Sequence, residues 1–427
     1  MKFSDMQTGE LNALLAALSS EYTDYLKMGL KLDLSRGKPS TEQLDISSSL
    51  LVSDGGKDTY LAENGFDCRN YGIGDGLPEM RRFFAEVFSI PEESVIVGGN
   101  SSLNLIYDAV ERLMLLGTGG HKPWCKYDKI KFICPVPGYD RHFGILEMLG
   151  IEMLPVETGR EGPDMDEVER LAADPLVKGI ICVPKYSNPT GFTYSEATVR
   201  RLFTMKAAPD FRIFFDNAYG IHDFGDQPDV LPDLFGIAKE CGAEDRILYF
   251  TSTSKITFPG GGVSLVASCD PNLSEIKRAM SMETIGFDKL NQLRQLRYLK
   301  NAEHTAALMK RHAAFLKPKF DLCSQKLHGG LDGLGIADWY DPNGGYFISL
   351  NVPDGCAKRG WSLMKAAGVT MTPAGATYPY HRDPRDRNLR LAPTYSTLDD
   401  LSKTLDVLVC CVKLAACEHY LALRSAS

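Results

Sequence analysis

One lysine sits among small hydroxyl residues and a glycine run in Phe250-Thr251-Ser252-Thr253-Ser254-Lys255-Ile256-Thr257-Phe258-Pro259-Gly260-Gly261-Gly262. The apolar run from Arg246 to Phe250 reads as a buried strand, and Val263 to Ala267 reads as another. Lys255 therefore falls on a tight connection between two core strands. Small residues let the backbone approach a bulky ligand, and an amine kept from water can act as a nucleophile. The ordinary alternative is a solvated loop lysine, which describes most lysines.

Three further stretches carry residue types that such chemistry would use. In Arg212-Ile213-Phe214-Phe215-Asp216-Asn217-Ala218-Tyr219 an acid closes a strongly apolar strand. A carboxylate there is costly unless it meets a cation. It is a helix cap, a buried ion pair, or the partner that keeps the ring nitrogen of a pyridoxal cofactor protonated. Val183-Pro184-Lys185-Tyr186-Ser187-Asn188-Pro189-Thr190-Gly191 ends another strand. Its Asn-Pro-Thr-Gly is good turn chemistry, and the Asn188 amide could also donate to a phenolate oxygen. Gly98-Gly99-Asn100-Ser101-Ser102 lies between a strand and a helix, where amides and hydroxyls favour a phosphate and where Ser is also a common cap.

The elements needed to position these residues follow from the pattern. Strands at 95–97, 131–133, 152–155, 179–183 and 212–215 alternate with helices starting near Ser102, Asp140, Asp164 and Ser195. This rhythm predicts an α/β fold with a mostly parallel sheet covered by helices, ligands collecting at the carboxyl ends of its strands. A helix is expected over 7–30, an irregular segment over 40–75, and a helix over 79–88 with Pro78 near its first turn. Another is expected over 271–282, then one long helix over 289–316. Short strands at 336–341, 345–351, 369–371 and 388–391, with helices over 357–367 and 397–422, predict a smaller α+β domain. The expected division is 1–50 (helix and arm, part of the small domain), 51–300 (large domain) and 301–427 (C-terminal small domain).

The totals exclude several classes. A chain of 427 residues exceeds the usual size of one core, and 44% hydrophobic with 24% charged residues is ordinary for a soluble globular protein. The net charge of -8 and the lack of a basic patch argue against a nucleic-acid partner. No apolar leader is expected after Met1-Lys2-Phe3-Ser4-Asp5, and the apolar run from Val407 to Cys417 is broken by Lys413 and too short to span a bilayer, so no membrane partner is expected either. Eleven cysteines without paired spacing fit reduced thiols in a cytoplasmic protein, and eight scattered histidines predict no metal.

Taken in order, Arg36-Gly37, Tyr71, Asn100 to Ser102, Tyr139, Asn188 to Gly191, Asp216 with Tyr219, Ser252 with Lys255, and Arg390 resemble the fold-type I, class I/II pyridoxal-phosphate aminotransferases. That fold has a seven-stranded type of sheet. Ser35-Arg36-Gly37-Lys38-Pro39 and the run from Ser254 to Gly262 look most like a divergent aspartate aminotransferase subgroup. The resemblance implies pyridoxal 5'-phosphate as cofactor, Lys255 as the Schiff-base lysine and Asp216 as the ring-nitrogen partner. Asn188 and Tyr219 would bind the ring 3-oxygen, and Tyr139 would stack on the ring. Ser101, Ser102 and Ser252 would hold the phosphate, with Tyr71 arriving from the second subunit of a homodimer that shares its active sites. Arg390 would bind the substrate α-carboxylate, with Gly37 closing over the substrate.

One position departs from the family. An arginine usually follows the lysine by eight positions to pair with the phosphate, and here Val263 stands there. Lys38 and Arg36 are the candidate replacements. For the distal carboxylate of a dicarboxylic substrate the candidates are Lys289, Arg36 and Arg141. The resemblance implies transamination between aspartate and 2-oxoglutarate. The alternatives are an aromatic or alanine aminotransferase, or a C-S β-lyase on the same fold. A transcription regulator's effector domain would need a DNA-binding segment ahead of Arg36, and a cofactor-free homologue would have lost Lys255.

Overall fold

Buried strands rich in apolar residues form the centre of the molecule, which the computed structural model describes over residues 1–51 and 60–426. In chain order, α1 (Thr8–Lys27), β1 (Leu32–Asp33) and α2 (Thr41–Asp45) lead to α3 (Pro78–Phe88), β2 (Val95–Val97) and α4 (Ser102–Leu116). Then follow β3 (Lys131–Val136), α5 (Asp140–Met148), β4 (Glu152–Gly159), β5 (Gly162–Pro163), α6 (Met165–Ala172), β6 (Val177–Cys182) and α7 (Glu196–Thr204). The middle continues with β7 (Arg212–Asp216), α8 (Leu234–Glu240), β8 (Ile247–Ser252), β9 (Ser264–Ala267), α9 (Asn272–Glu283) and α10 (Lys289–Leu299). The remainder is α11 (Ala302–Leu331), β10 (Asp338–Trp339), β11 (Ile348–Asn351), α12 (Ala357–Ala366), β12 (Val369–Thr370), β13 (Asn388–Leu391) and α13 (Leu398–Ala426).

The large sheet has the order β2-β9-β8-β7-β6-β3-β4-β5. Strands β8, β7, β6, β3 and β4 are parallel, while β9 runs antiparallel to both β8 and β2. The direction of β2 therefore matches that of β8, and the carboxyl ends of β2, β3, β6, β7 and β8 share one edge. The two-residue β5, a hairpin partner of β4, is the addition to the expected seven strands. Alternation along β7 sends Ile213 and Phe215 into one apolar cluster and Phe214 into the other, so helices must cover both faces.

A third cluster joins the ends of the chain. Leu11 and Leu18 of α1 pack with Cys323 and Leu327 of α11 and with Leu401 to Cys417 of α13. Beside it, β1 pairs in parallel with β12, and β10-β11-β13 form an antiparallel sheet.

Three expectations differ from the fold. The single helix over 289–316 is two helices: Lys300 adopts φ +60°, and Asn301 caps α11 by accepting from the His304 N–H at 2.8 Å. The apolar spacing runs through this break, so periodicity hides it. The strands expected over 336–341 and 345–351 shrink to two and four residues. Gly345, at φ +84°, delays the start of β11. The irregular segment expected over 40–75 contains the short α2, and its residues 52–59 lie outside the described residues.

Candidate active site

The hydroxyl residues around Lys255 tie its loop to the sheet. Thr253 N–H donates to the Val263 carbonyl at 2.8 Å, and Val263 N–H donates to Thr253 Oγ1 at 3.0 Å. Thr257 Oγ1 donates to Gln295 Oε1 at 3.0 Å, whose amide donates to the Gly261 carbonyl at 2.8 Å. Held this way, Lys255 is half-buried, with Nζ 4.7 Å from the centroid of the Tyr219 ring and 5.9 Å from that of Tyr346. Beneath the loop, His222 Nε2 faces the Lys255 carbonyl at 3.4 Å. Burial, and then the Lys255 charge, hold this imidazole down to about 3, so it is neutral.

Asp216 ends β7, opposite Phe250 of β8, and is 4% exposed. Its Oδ2 lies 2.9 Å from His142 Nε2. Its Oδ1 is buried without a hydrogen-bond partner. Leaving a carboxylate oxygen so is unfavourable, and the chemistry it lacks is a donor such as a protonated ring nitrogen. His142 reaches Asp216 from the first turn of α5, where the Tyr139 ring stands edge-on to it at 4.9 Å. Burial pushes the Tyr139 phenol up to about 12, against the opposing pull of Lys255. The Tyr219 phenol is also raised by burial, reinforced by Asp216.

Asn188 follows β6 in a turn closed by Gly191 N–H donating to the Ser187 carbonyl at 2.7 Å. Its Oδ1 lies 3.5 Å from Arg390 Nη1. Arg390 stands on β13, its guanidinium carbon 5.0 Å from the Phe347 ring centroid. Nη2 donates to Thr372 Oγ1 at 3.0 Å and Nη1 to Asp140 Oδ1 at 2.8 Å. Gly37 packs directly on the Phe347 ring, and a Cβ there would overlap it. Lys255, Asp216, Tyr219, Tyr139, Asn188, Arg390 and Gly37 are thus linked through a few shared neighbours.

At the other end of the sheet edge, Ser101 caps α4 by accepting from Leu103 N–H at 3.2 Å, and Ser102 begins that helix. Ser252 Oγ bonds Ser254 Oγ at 3.0 Å, which donates to the Asn100 carbonyl at 2.9 Å. A Cβ on Gly262 would lie 2.8 Å from Ser254 Oγ, so the glycine makes room for this hydroxyl chain. Together the hydroxyls and the α4 amides could hold a phosphate. Val263 is buried in the core. Of the suggested replacement cations, Arg36 pairs with Asp33 at 2.6 Å, and Arg36 and Lys38 stand 5.1 and 5.0 Å from the Tyr395 ring centroid.

The remaining candidates differ in exposure. Tyr71 is 77% exposed and Arg141 is exposed. Lys289 is only 5% exposed, with Nζ 3.5 Å from the Phe287 carbonyl, instead of being a solvated helix charge. Its loop packs on the Tyr71 loop, since Gly286 abuts the Gly72 carbonyl. Residues that sequence reasoning passed over are Asp140, His142, His222, Tyr346, Phe347 and Thr372. The three-residue spacing of Tyr139 and His142 at a helix start was a usable signal for one of them.

Known proteins share this sequence pattern and fold. The family model described as aspartate amino-transferase matches residues 6–424. An aspartate aminotransferase of Corynebacterium glutamicum is 44% identical over 406 residues, 94% of each chain. The crystal structure of an aspartate transaminase from that organism superposes with a TM-score of 0.96 at 42% identity, over 98% of this chain and 99% of the other. The fold also matches the α-aminoadipate aminotransferase of Thermus thermophilus, solved with N-(5'-phosphopyridoxyl)-L-leucine, at a TM-score of 0.72 and 21% identity over 94% and 95% of the chains. The chain is an aminotransferase and belongs to the aspartate amino-transferase family.

Proposed function

We propose that this aminotransferase uses pyridoxal 5'-phosphate to move the amino group of L-aspartate to 2-oxoglutarate. The observation that carries the cofactor reading is Asp216 Oδ1, a buried carboxylate oxygen without a partner, at the end of the strand paired with the one that leads into Lys255. Aspartate is favoured by the 44% identical relative of that name. When bound, the cofactor supplies an electron sink for the pair left on the substrate α-carbon.

The chain's own residues supply the rest. Lys255 is the amine that would attach the cofactor, and once the substrate's amino group has displaced it, its freed Nζ would take the proton from the substrate α-carbon. Asp216 keeps the ring nitrogen protonated, oriented by His142 on its other oxygen. Asn188 and Tyr219 donate to the ring oxygen, and Tyr139 shields a ring face from water. Ser101, Ser102 and Ser252 hold the phosphate. Arg390 grips the α-carboxylate, and Gly37 closes over the substrate. Lys289, Arg36 and Arg141 are the cations that could read a distal carboxylate.

The proposed assembly is a homodimer in which exposed Tyr71 serves the site of a second copy. The proposed division is a large domain over 51–300 and a small one from 1–50 with 301–427, in keeping with the shared apolar cluster of the chain ends. Among the described residues no helix is long and apolar enough to cross a membrane. With the reduced-thiol reading of its cysteines, the proposed location is the cytoplasm. The test is an amino-donor screen with 2-oxoglutarate, read beside the visible spectrum of the cofactor-loaded protein. Aspartate should be the best donor, and pyruvate with ammonia from cystathionine would point to the lyase instead. Full transaminase activity in Lys255→Ala would sink the assignment.

A further inference from the structure

Arg390 carries its own carboxylate. Nη1 donates to Asp140 Oδ1 at 2.8 Å, and the two side chains are 9% and 26% exposed. Resting on the assignment of Arg390 as the fork for the substrate α-carboxylate, we propose that Asp140 is an internal competitor for that fork. Its carboxylate neutralises the guanidinium until an amino acid arrives and is then exchanged for the substrate's.

Four observations carry this. The arginine is anchored independently, by Thr372 Oγ1 at 3.0 Å on Nη2 and by the Phe347 ring, so it stays in place when Asp140 leaves. Asp140 is the more exposed member of the pair and the one able to move. The other acceptor near Nη1, Asn188 Oδ1 at 3.5 Å, is an amide oxygen without charge. Removing Asp140 without replacing it would leave a buried guanidinium unneutralised, which is strongly unfavourable, so the exchange requires an incoming anion. Finally, Asp140 is the first residue of the nine-residue α5, where a displaced carboxylate remains favourably placed near first-turn amides.

The consequence is selectivity: a donor lacking an α-carboxylate cannot displace Asp140. Asp140 acts through Arg390 and is a positioning residue. Because it adjoins Tyr139 and shares a helical turn with His142, the exchange occurs on the turn that carries two pocket residues.

The experiment uses cofactor-loaded wild type, Asp140→Asn, Asp140→Glu and Arg390→Lys. In Asp140→Asn, KM for aspartate and the inhibition constant of maleate should both fall about three- to fivefold, the Kd equivalent of losing a partly exposed competing ion pair. kcat should change less than KM, and Asp140→Glu, which restores a carboxylate, should return KM toward wild type. Single-turnover reaction with ethylamine, which has no carboxylate, should not accelerate in Asp140→Asn. An unchanged or raised KM, or equal acceleration with ethylamine, overturns the inference. Arg390→Lys should raise KM about tenfold or more, since a lysine cannot form the fork. If it does so while Asp140→Asn does not lower KM, only the Asp140 inference fails; if Arg390→Lys leaves KM unchanged, the fork assignment itself fails.

Discussion

His142 Nε2 lies 2.9 Å from Asp216 Oδ2, and the two side chains are 3% and 5% exposed. The imidazole occupies one carboxylate oxygen and leaves Oδ1 as the oxygen available to a ligand. Replacing His142 by Ala leaves the buried carboxylate without either partner. Stability by denaturant titration should fall by about 1–3 kcal/mol, with less of that loss in the cofactor-loaded protein than in the apoprotein.

Asp216→Asn keeps the shape of the site and removes the charge that would hold a ring nitrogen protonated. The single-turnover rate with aspartate should fall about 10²–10³-fold, as for loss of one preorganised electrostatic partner. A change of less than about twofold would remove Asp216 from its proposed role.

At Gly37 any Cβ would overlap the Phe347 ring. Gly37→Ala should cost about 1–3 kcal/mol through overpacking, shown as a displaced arm and a raised KM. Adding Phe347→Leu should recover part of the loss.

Two buried histidines set a pH limit on stability. Burial holds His222 down to about 3 and His312 to about 4, from an ordinary value of 6.5. Between those values the unfolded chain binds more protons than the folded one. Their neutral-state contribution is fully present above 6.5 and is lost as pH falls toward the folded values. Each histidine should add a slope of about 1.4 kcal/mol per pH unit. In denaturant titrations from pH 6.5 to 4.5, His312→Gln should flatten the acid side of the profile by about that amount relative to wild type.

Lys289 tests the reading of a dicarboxylic substrate. If its ammonium meets a distal carboxylate, Lys289→Ala should raise KM for aspartate about tenfold or more and leave that for alanine within about twofold. Equal effects on both donors would assign Lys289 to structure alone.

Lys255, Asp216, Asn188 and Ser101 were legible because each interrupts or closes an apolar run with a residue type that is unfavourable or special in that place. The same local rules exposed the alternating strands and helices and so the parallel sheet. Partners were not legible. His142 and Asp216 are 74 positions apart, and Asp140 and Arg390 are 250 apart. Nor could periodicity see the break at Lys300, where the apolar spacing continues although the backbone leaves the helical conformation, or the burial of Lys289. By itself the sequence determined which residues could do the chemistry and at which strand ends they stand, since propensity and periodicity act over a few residues. Only the tertiary structure decided which oxygen of Asp216 is left open and which carboxylate meets Arg390, because those choices depend on packing between distant segments.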